Sequence, residues 1–168
     1  MRPPAGLRHW FEDFDLNEIE IVTGFTFAHE CSKSTFDRVF QYKIMTQILP
    51  TNQYLARYRV RDSDICSKCE ILTDTVSHSL WSCQLLVPYV DKFIDFLKQT
   101  CRVKDQIGIV QYIFGFKSNL GLNQIFIEFK KEIFYNFDRN IGVEAFCERI
   151  LNKIRKITIK EKKLHKIN

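Results

Sequence analysis

The pattern of apolar and polar positions changes character along the chain. Over residues 1–30 no period persists: "EIEIVTGFTF" alternates weakly, as a short strand would, while "PP" and the acidic "FEDFD" suggest an irregular lead-in. From Ser34 the period is helical. In "STFDRVFQYKIMTQILP" Phe36, Val39, Phe40, Ile44 and Ile48 share one stripe, Ser34 or Thr35 is placed to cap the first turn, and Pro50 disfavours helix at Leu49. "TNQYLARY" reopens a short helix with Thr51 or Asn52 as cap. Later stripes comprise Leu86, Tyr89, Val90, Phe93 and Leu97 beside Pro88, then Leu122, Ile125, Phe126, Phe129, Ile133 and Phe137, then Val143, Phe146, Cys147, Ile150, Leu151 and Ile154. "IGIVQYIFGF" reads as a buried turn region or a brief helix. The prediction is a mainly α fold, a small helical domain of about four or five helices around a phenylalanine-rich core, interrupted by one irregular insert at 56–83. Residues 1–33 form the lead-in, 34–101 the helices carrying the insert, and 102–168 the C-terminal helices with a basic tail.

The insert holds the chemistry. "CSKCEILTDTVSHSLWSC" places Cys66, Cys69, His78 and Cys83 at C-x2-C-x8-H-x4-C. Two residues between thiolates let both point at one ion about 2.3 Å away, and His78 with Cys83 completes a tetrahedral set suited to Zn2+. Any one of these residues alone is better read as ordinary core; the four together are not. Thr73 or Asp74 is placed to cap a short helix bearing His78. Five residues of ideal helix turn the chain by about 500°, leaving His78 and Cys83 about 140° apart. The helix must therefore loosen or stop before Cys83. Cys31, Cys101 and Cys147 have no such partners and read as packing residues. Four protein ligands close the coordination shell, so the zinc is structural, and no metalloprotease, phosphate-loop or nucleophile-elbow motif occurs elsewhere. The chain is expected not to be an enzyme.

Charge adds a second theme. Residues 153–168 carry Lys153, Arg155, Lys156, Lys160, Lys162, Lys163 and Lys166 against Glu161, net +6, so the other residues sum to −1 of the total +5. Such a block is either a solvated helix end or a contact for nucleic acid. In "RYRVRDSD" an extended backbone puts Arg57, Arg59 and Arg61 on one face beside the metal loop, unless they pair with Asp62, Asp64 or Glu70. Lys68 lies between the first two cysteines. Trp81 either stacks on a base or packs the loop against the helix at 86–100. No run of about 18 apolar residues exists to span a membrane, and the N-terminus lacks the apolar segment of a secretory signal. An intracellular, reducing setting in nucleus or cytoplasm is the expectation.

"FQYKIMTQILPTNQYLARYRVRDSDICSKCEILTDTVSHSLWSC" resembles the zinc-binding segment near the C-terminus of reverse transcriptases from non-LTR (LINE-type) retrotransposons. The likeness rests on "FQYKI", "ILPTN", "SD-C-x2-C" and "H-S-L-W-x-C", and extends over residues 35–164 through "LNQIFIEFKKEIFYNF" and "FCERILNKIRKI". It implies that Cys66, Cys69, His78 and Cys83 are the metal ligands, and that the module helps hold RNA or DNA behind a polymerase. No paired aspartates of a polymerase hairpin are present, so the resemblance implies a non-catalytic fragment lacking that core. Two functions follow as expectations: a zinc-binding, nucleic-acid-binding module with Arg57, Arg59, Arg61, Lys68 and Trp81 as contacts, or a zinc-stapled packing module docked on a reverse transcriptase core.

Overall fold

The computed structural model describes residues 5–101, 103, 106–117 and 119–164, apart from the side chains of 5, 6, 13, 100, 101 and 157–164. It is mainly helical: α1 (Ala5–Asp13), α2 (Glu18–Cys31), α3 (Thr35–Met45), α4 (Asn52–Arg57), α5 (Val87–Cys101), α6 (Ile109–Phe114), α7 (Leu120–Asn136) and α8 (Val143–Leu164), with a π-turn at His78–Ser82 between α4 and α5. Among the described residues there is no strand, only an antiparallel bridge between Ile65 and Thr73. No helix among them is long and apolar enough to cross a membrane.

The expected irregular lead-in is instead two helices. Asn17 starts α2 with a capping box, its Oδ1 accepting from the Glu20 amide at 3.0 Å while its own amide donates to the Glu20 carboxylate at 2.9 Å. The Ile, Val and Thr content of α2 reads locally as strand; burial of Gly24, Phe27 and Ala28 against α3, α6 and α7 overrides that preference. Gly24 is required by close approach, since a Cβ there would lie 2.5 Å from Met45 Cε. Trp10 of α1 is fully buried, its indole donating to the Met45 carbonyl at 2.9 Å. Residues 5–33 are therefore part of the packed body.

Helix α7 is the axis. It packs against α2, α3, α8 and the π-turn, and buries residues all round its circumference. Phe129 stacks on Phe93 of α5 at 3.8 Å between centroids and meets Phe146 of α8 edge-on. Buried polar groups on such a helix need partners, and each finds them. Asn123 closes two 2.7 Å hydrogen bonds with the Phe116 backbone. Lys131 is ion-paired to Asp37 and Glu128, Lys153 to Glu128 and Glu132, and Arg149 to Glu132. Lys130, with no exposed surface, donates to Gln41 Oε1 at 2.8 Å and the Ile113 carbonyl at 3.3 Å, its ammonium resting near the Phe27 and Tyr112 rings.

Those partners rotate α3 away from its expected stripe. Phe40 and Ile44 are buried as read, but Phe36, Val39 and Ile48 are exposed, and Asp37, Gln41 and Met45 take the inner face. Asp37 accepts from Ser32 Oγ at 2.6 Å and pairs with Lys131; Gln41 pairs with Lys130. The stripes of α5, α7 and α8 bury their central residues as expected, and "IVQYIF" is the short α6. Helix packing crosses the boundary at residue 101, with α5 against α8 and α2 against α7.

Candidate metal centre

The segment 64–74 folds back on itself. The Cys66 amide donates to the Leu72 carbonyl and the Asp74 amide to Asp64, both at 2.8 Å, while the Glu70 amide closes a turn onto the Cys66 carbonyl at 2.8 Å. Glu70 takes a left-handed φ of 58°, the reversal such a knuckle needs. The amides of Cys69 and Lys68 thereby face the Cys66 sulfur, and those of Leu72 and Ile71 face Cys69. The geometry is that of a two-thiolate claw lined with donors.

The second pair reaches the claw through the π-turn. The expected need for a loosened helix is met by a change of register: the Cys83 amide donates to the His78 carbonyl at 3.0 Å. An i to i+5 bond widens the turn, bringing residues five apart closer to one side than the offset of about 140° that an α-helix imposes. His78 Nε2 lies 3.3 Å from Cys69 Sγ. Cys66, Cys69, His78 and Cys83 are all buried, and their ligand atoms lie within 4.8 Å of one another. The cluster is compatible with a metal ion.

Surrounding contacts hold the claw to the helical body. Asn52 Nδ2 donates to the Ile65 carbonyl at 2.6 Å and to Ser67 Oγ at 2.8 Å, while the Asn52 amide donates to Asp74 Oδ2 at 2.8 Å. Thr51 is the cap of α4, which frees Asn52 for this work. The turn before His78 is capped by Thr75, whose hydroxyl accepts from the His78 amide at 3.0 Å; Thr73 is engaged in the bridge to Ile65 and Asp74 in holding Asn52. From Cys83 the chain enters α5 directly, with the Leu86 and Val87 amides donating to the Cys83 carbonyl.

The electrostatics set the three sulfurs apart. Burial pushes the Cys66 thiol up to about 12 against the pull of its facing amides, and burial likewise raises Cys83. At Cys69 burial also opposes ionisation, but the Leu72 and Ile71 amides, with His78 and Cys66, outweigh it and bring the thiol down to about 6. Packed together without a cation, these sulfurs hold one readily formed thiolate and two suppressed ones. A divalent ion reverses the penalty, because a coordinated thiol is deprotonated outright.

The expected nucleic-acid residues fare differently from one another. Arg57, Arg59 and Arg61 are not on an extended segment. Arg57 ends α4, Tyr58 caps it, and Arg59 takes a left-handed φ of 58°. The Arg59 amide donates to Ala56 and the Val60 amide to Leu55, both at 2.9 Å, which is a Schellman turn with arginine where glycine is usual. Helix completion outcompeted the alternation. All three arginines are exposed, and none forms an ion pair with Asp62, Asp64 or Glu70. Lys68 turns inward to the π-turn, its ammonium 3.2 Å from Ser79 Oγ. Trp81 is half-buried against Tyr112 of α6, with centroids 5.1 Å apart, in a π-turn that also packs on α5, so it serves as a brace for the loop. Cys31 is half-buried and Cys147 buried, as packing residues; the Cys101 side chain lies outside the described residues. Of the basic tail, Lys153 is ion-paired and Arg155 meets Asn152, while the side chains of Lys160, Lys162 and Lys163 and the whole of Lys166 lie outside the described residues.

Comparison of the chain with protein-family models, with curated proteins and with solved structures finds no match. Asn52 and Asp74 are the contributors that motif reading missed. Their signal was position alone: both looked like helix caps, and the structure uses both as struts for the claw.

Proposed function

We propose that this chain is a non-catalytic, zinc-stapled module that binds nucleic acid. The observation that carries the reading is the closed donor set, three sulfurs and one imidazole nitrogen buried within 4.8 Å of one another. Zinc favours this mixture, and thiolates about 2.3 Å from a tetrahedral centre sit about 3.8 Å apart, a modest contraction from the spacing here. Four protein ligands leave no open position for substrate, so the ion neutralises thiolates and folds the insert.

What the insert then displays is cationic. Arg57, Arg59 and Arg61 form an exposed turn directly before the claw, with no ion pair among the described residues, in a chain of net charge +5. Neutralising phosphates with such side chains releases counterions and yields binding that falls steeply with salt. The resemblance of residues 35–164 to the retrotransposon zinc-binding segment supports the same reading. A second reading is favoured by a separate observation: Phe36, Val39 and Tyr42 are exposed in a row along α3. A protein partner, such as a polymerase core, would cover that face.

The test has two parts. Native mass spectrometry with and without chelator should find one zinc per chain, lost in Cys66→Ser. Oligonucleotide binding by the zinc-loaded protein should weaken as salt rises; a flat salt response, or no binding, leaves the packing role.

A further inference from the structure

Helices α3 and α4 end in the same way, and the groove lined by the end of α3 and one side of α4 has a composition that packing does not explain. It encloses about 320 Å³, the small end of the range for ligand pockets of about 300–1,000 Å³. Gln47, Gln53, Tyr54, Arg57 and Tyr58 line it, and no carboxylate is among its described lining residues. Gln47 closes α3 as Arg59 closes α4: its φ is 59°, its amide donates to Ile44 at 3.1 Å, and the Ile48 amide donates to Lys43 at 3.0 Å. Both helices thus end in Schellman turns that carry a polar side chain at the left-handed position, where glycine is cheapest. The Gln47 side-chain nitrogen is buried without a hydrogen-bond partner. Such a group needs a reason, and a ligand is one of the few available. Beside it, Tyr54 and Tyr58 lie 4.8 Å apart between ring centroids, with Tyr58 61% exposed. Arg57, at the same mouth, has no ion-pair partner among the described residues.

We infer that this groove holds one unpaired nucleotide of a single strand. The base stacks on Tyr58, its edge takes the Gln47 amide once that covered side chain turns out into the groove, and its phosphate lies toward Arg57. Base–aromatic stacking tolerates any base, and an amide offers both donor and acceptor to a base edge. The volume suits a single splayed nucleotide and excludes a duplex. The inference rests on the nucleic-acid reading above and narrows it to single strands and to one location.

Fluorescence anisotropy with a labelled single-stranded RNA, a single-stranded DNA of the same sequence and the corresponding blunt duplex tests it on the full zinc-loaded chain. Tyr58→Ala and Gln47→Gly are the variants. Gln47→Gly relieves a left-handed non-glycine residue, so its melting temperature should hold or rise while single-strand affinity falls at least tenfold. Loss of affinity in a variant that is no less stable cannot come from misfolding. Binding of either single strand, weakened in both variants and exceeding duplex binding, supports the site. Unchanged affinity in both variants, or equal affinity for the duplex, overturns the groove and leaves the salt-dependent arginine contact standing. If no oligonucleotide binds the unaltered chain, the groove assignment and the broader reading fall together.

Discussion

Lys130 offers a measurement that tests the packing of the whole body. Its amine is fully enclosed by α2, α3, α6 and α7 residues, and burial lowers its pKa from 10.5 to about 7. The unfolded chain keeps that proton up to about 10.5, the folded chain only up to about 7. Between those limits the unfolded state binds more protons, so stability rises with pH. Below about 7 the full penalty of burying the cation is present; above about 10.5 it has gone. At about 1.36 kcal/mol per pH unit, going from about pH 7 to about pH 9.5 recovers about 3 kcal/mol. The Phe27 and Tyr112 rings favour the cation and make that an upper bound. Urea unfolding followed by circular dichroism, for the unaltered chain and for Lys130→Met, isolates the effect. Methionine deprives Gln41 Oε1 of its donor and the Ile113 carbonyl of one of its two donors, but that loss does not depend on pH and cancels in the slope. The unaltered chain should gain up to about 3 kcal/mol relative to the variant over this range. Parallel pH profiles for the two proteins would refute the buried, proton-shedding lysine.

Other substitutions probe the claw and the helix ends. Asn52→Ala removes the hydrogen bonds to Ile65 and Ser67 and should lower stability by about 1–2 kcal/mol, with faster zinc loss in a chelator competition. Arg59→Gly should raise stability by about 1 kcal/mol, because glycine accepts the left-handed turn, while lowering oligonucleotide affinity; thermal melts and anisotropy measure the two effects. Asp37→Ala removes the acceptor of the Ser32 hydroxyl, which keeps only the bond it accepts from the Ser34 amide, and takes one of two carboxylates from Lys131, a loss of up to about 3 kcal/mol in denaturant titration. Gly115→Ala should cost about 1–3 kcal/mol in the same assay, since φ is +81° and a Cβ would meet Asn123 Oδ1 and Phe27 at 2.9 Å.

The metal ligands were legible because their spacing is covalent: four residues at fixed separations carry the claw wherever the rest of the chain lies. The stripes of α5, α7 and α8 were legible because each carries apolar residues at helical spacing that do reach the core, even though α7 buries Asn123, Glu128, Lys130 and Glu132 as well. Helix α3 was misread by about one residue of rotation, since its inner face holds Asp37 and Gln41, whose partners Lys131 and Lys130 lie far along the chain. Nothing local announces that pairing. Helix α2 failed for the opposite reason, a β-branched sequence turned helical by what it packs against. The arginine segment was settled by two backbone hydrogen bonds that finish α4, a detail finer than any alternation of residue types.

Cys83 belongs to two systems at once: its sulfur points into the cluster, and its carbonyl accepts the first amides leading into α5. The ion would thus behave as a rivet through the main frame and not as a clasp on an appendage. Stripping it should loosen the entry to α5 and, through the Phe93–Phe129 stack, the centre of the molecule. Deuterium uptake after chelation should therefore spread from residues 64–83 into 86–97, where a self-contained finger would have kept the change to itself.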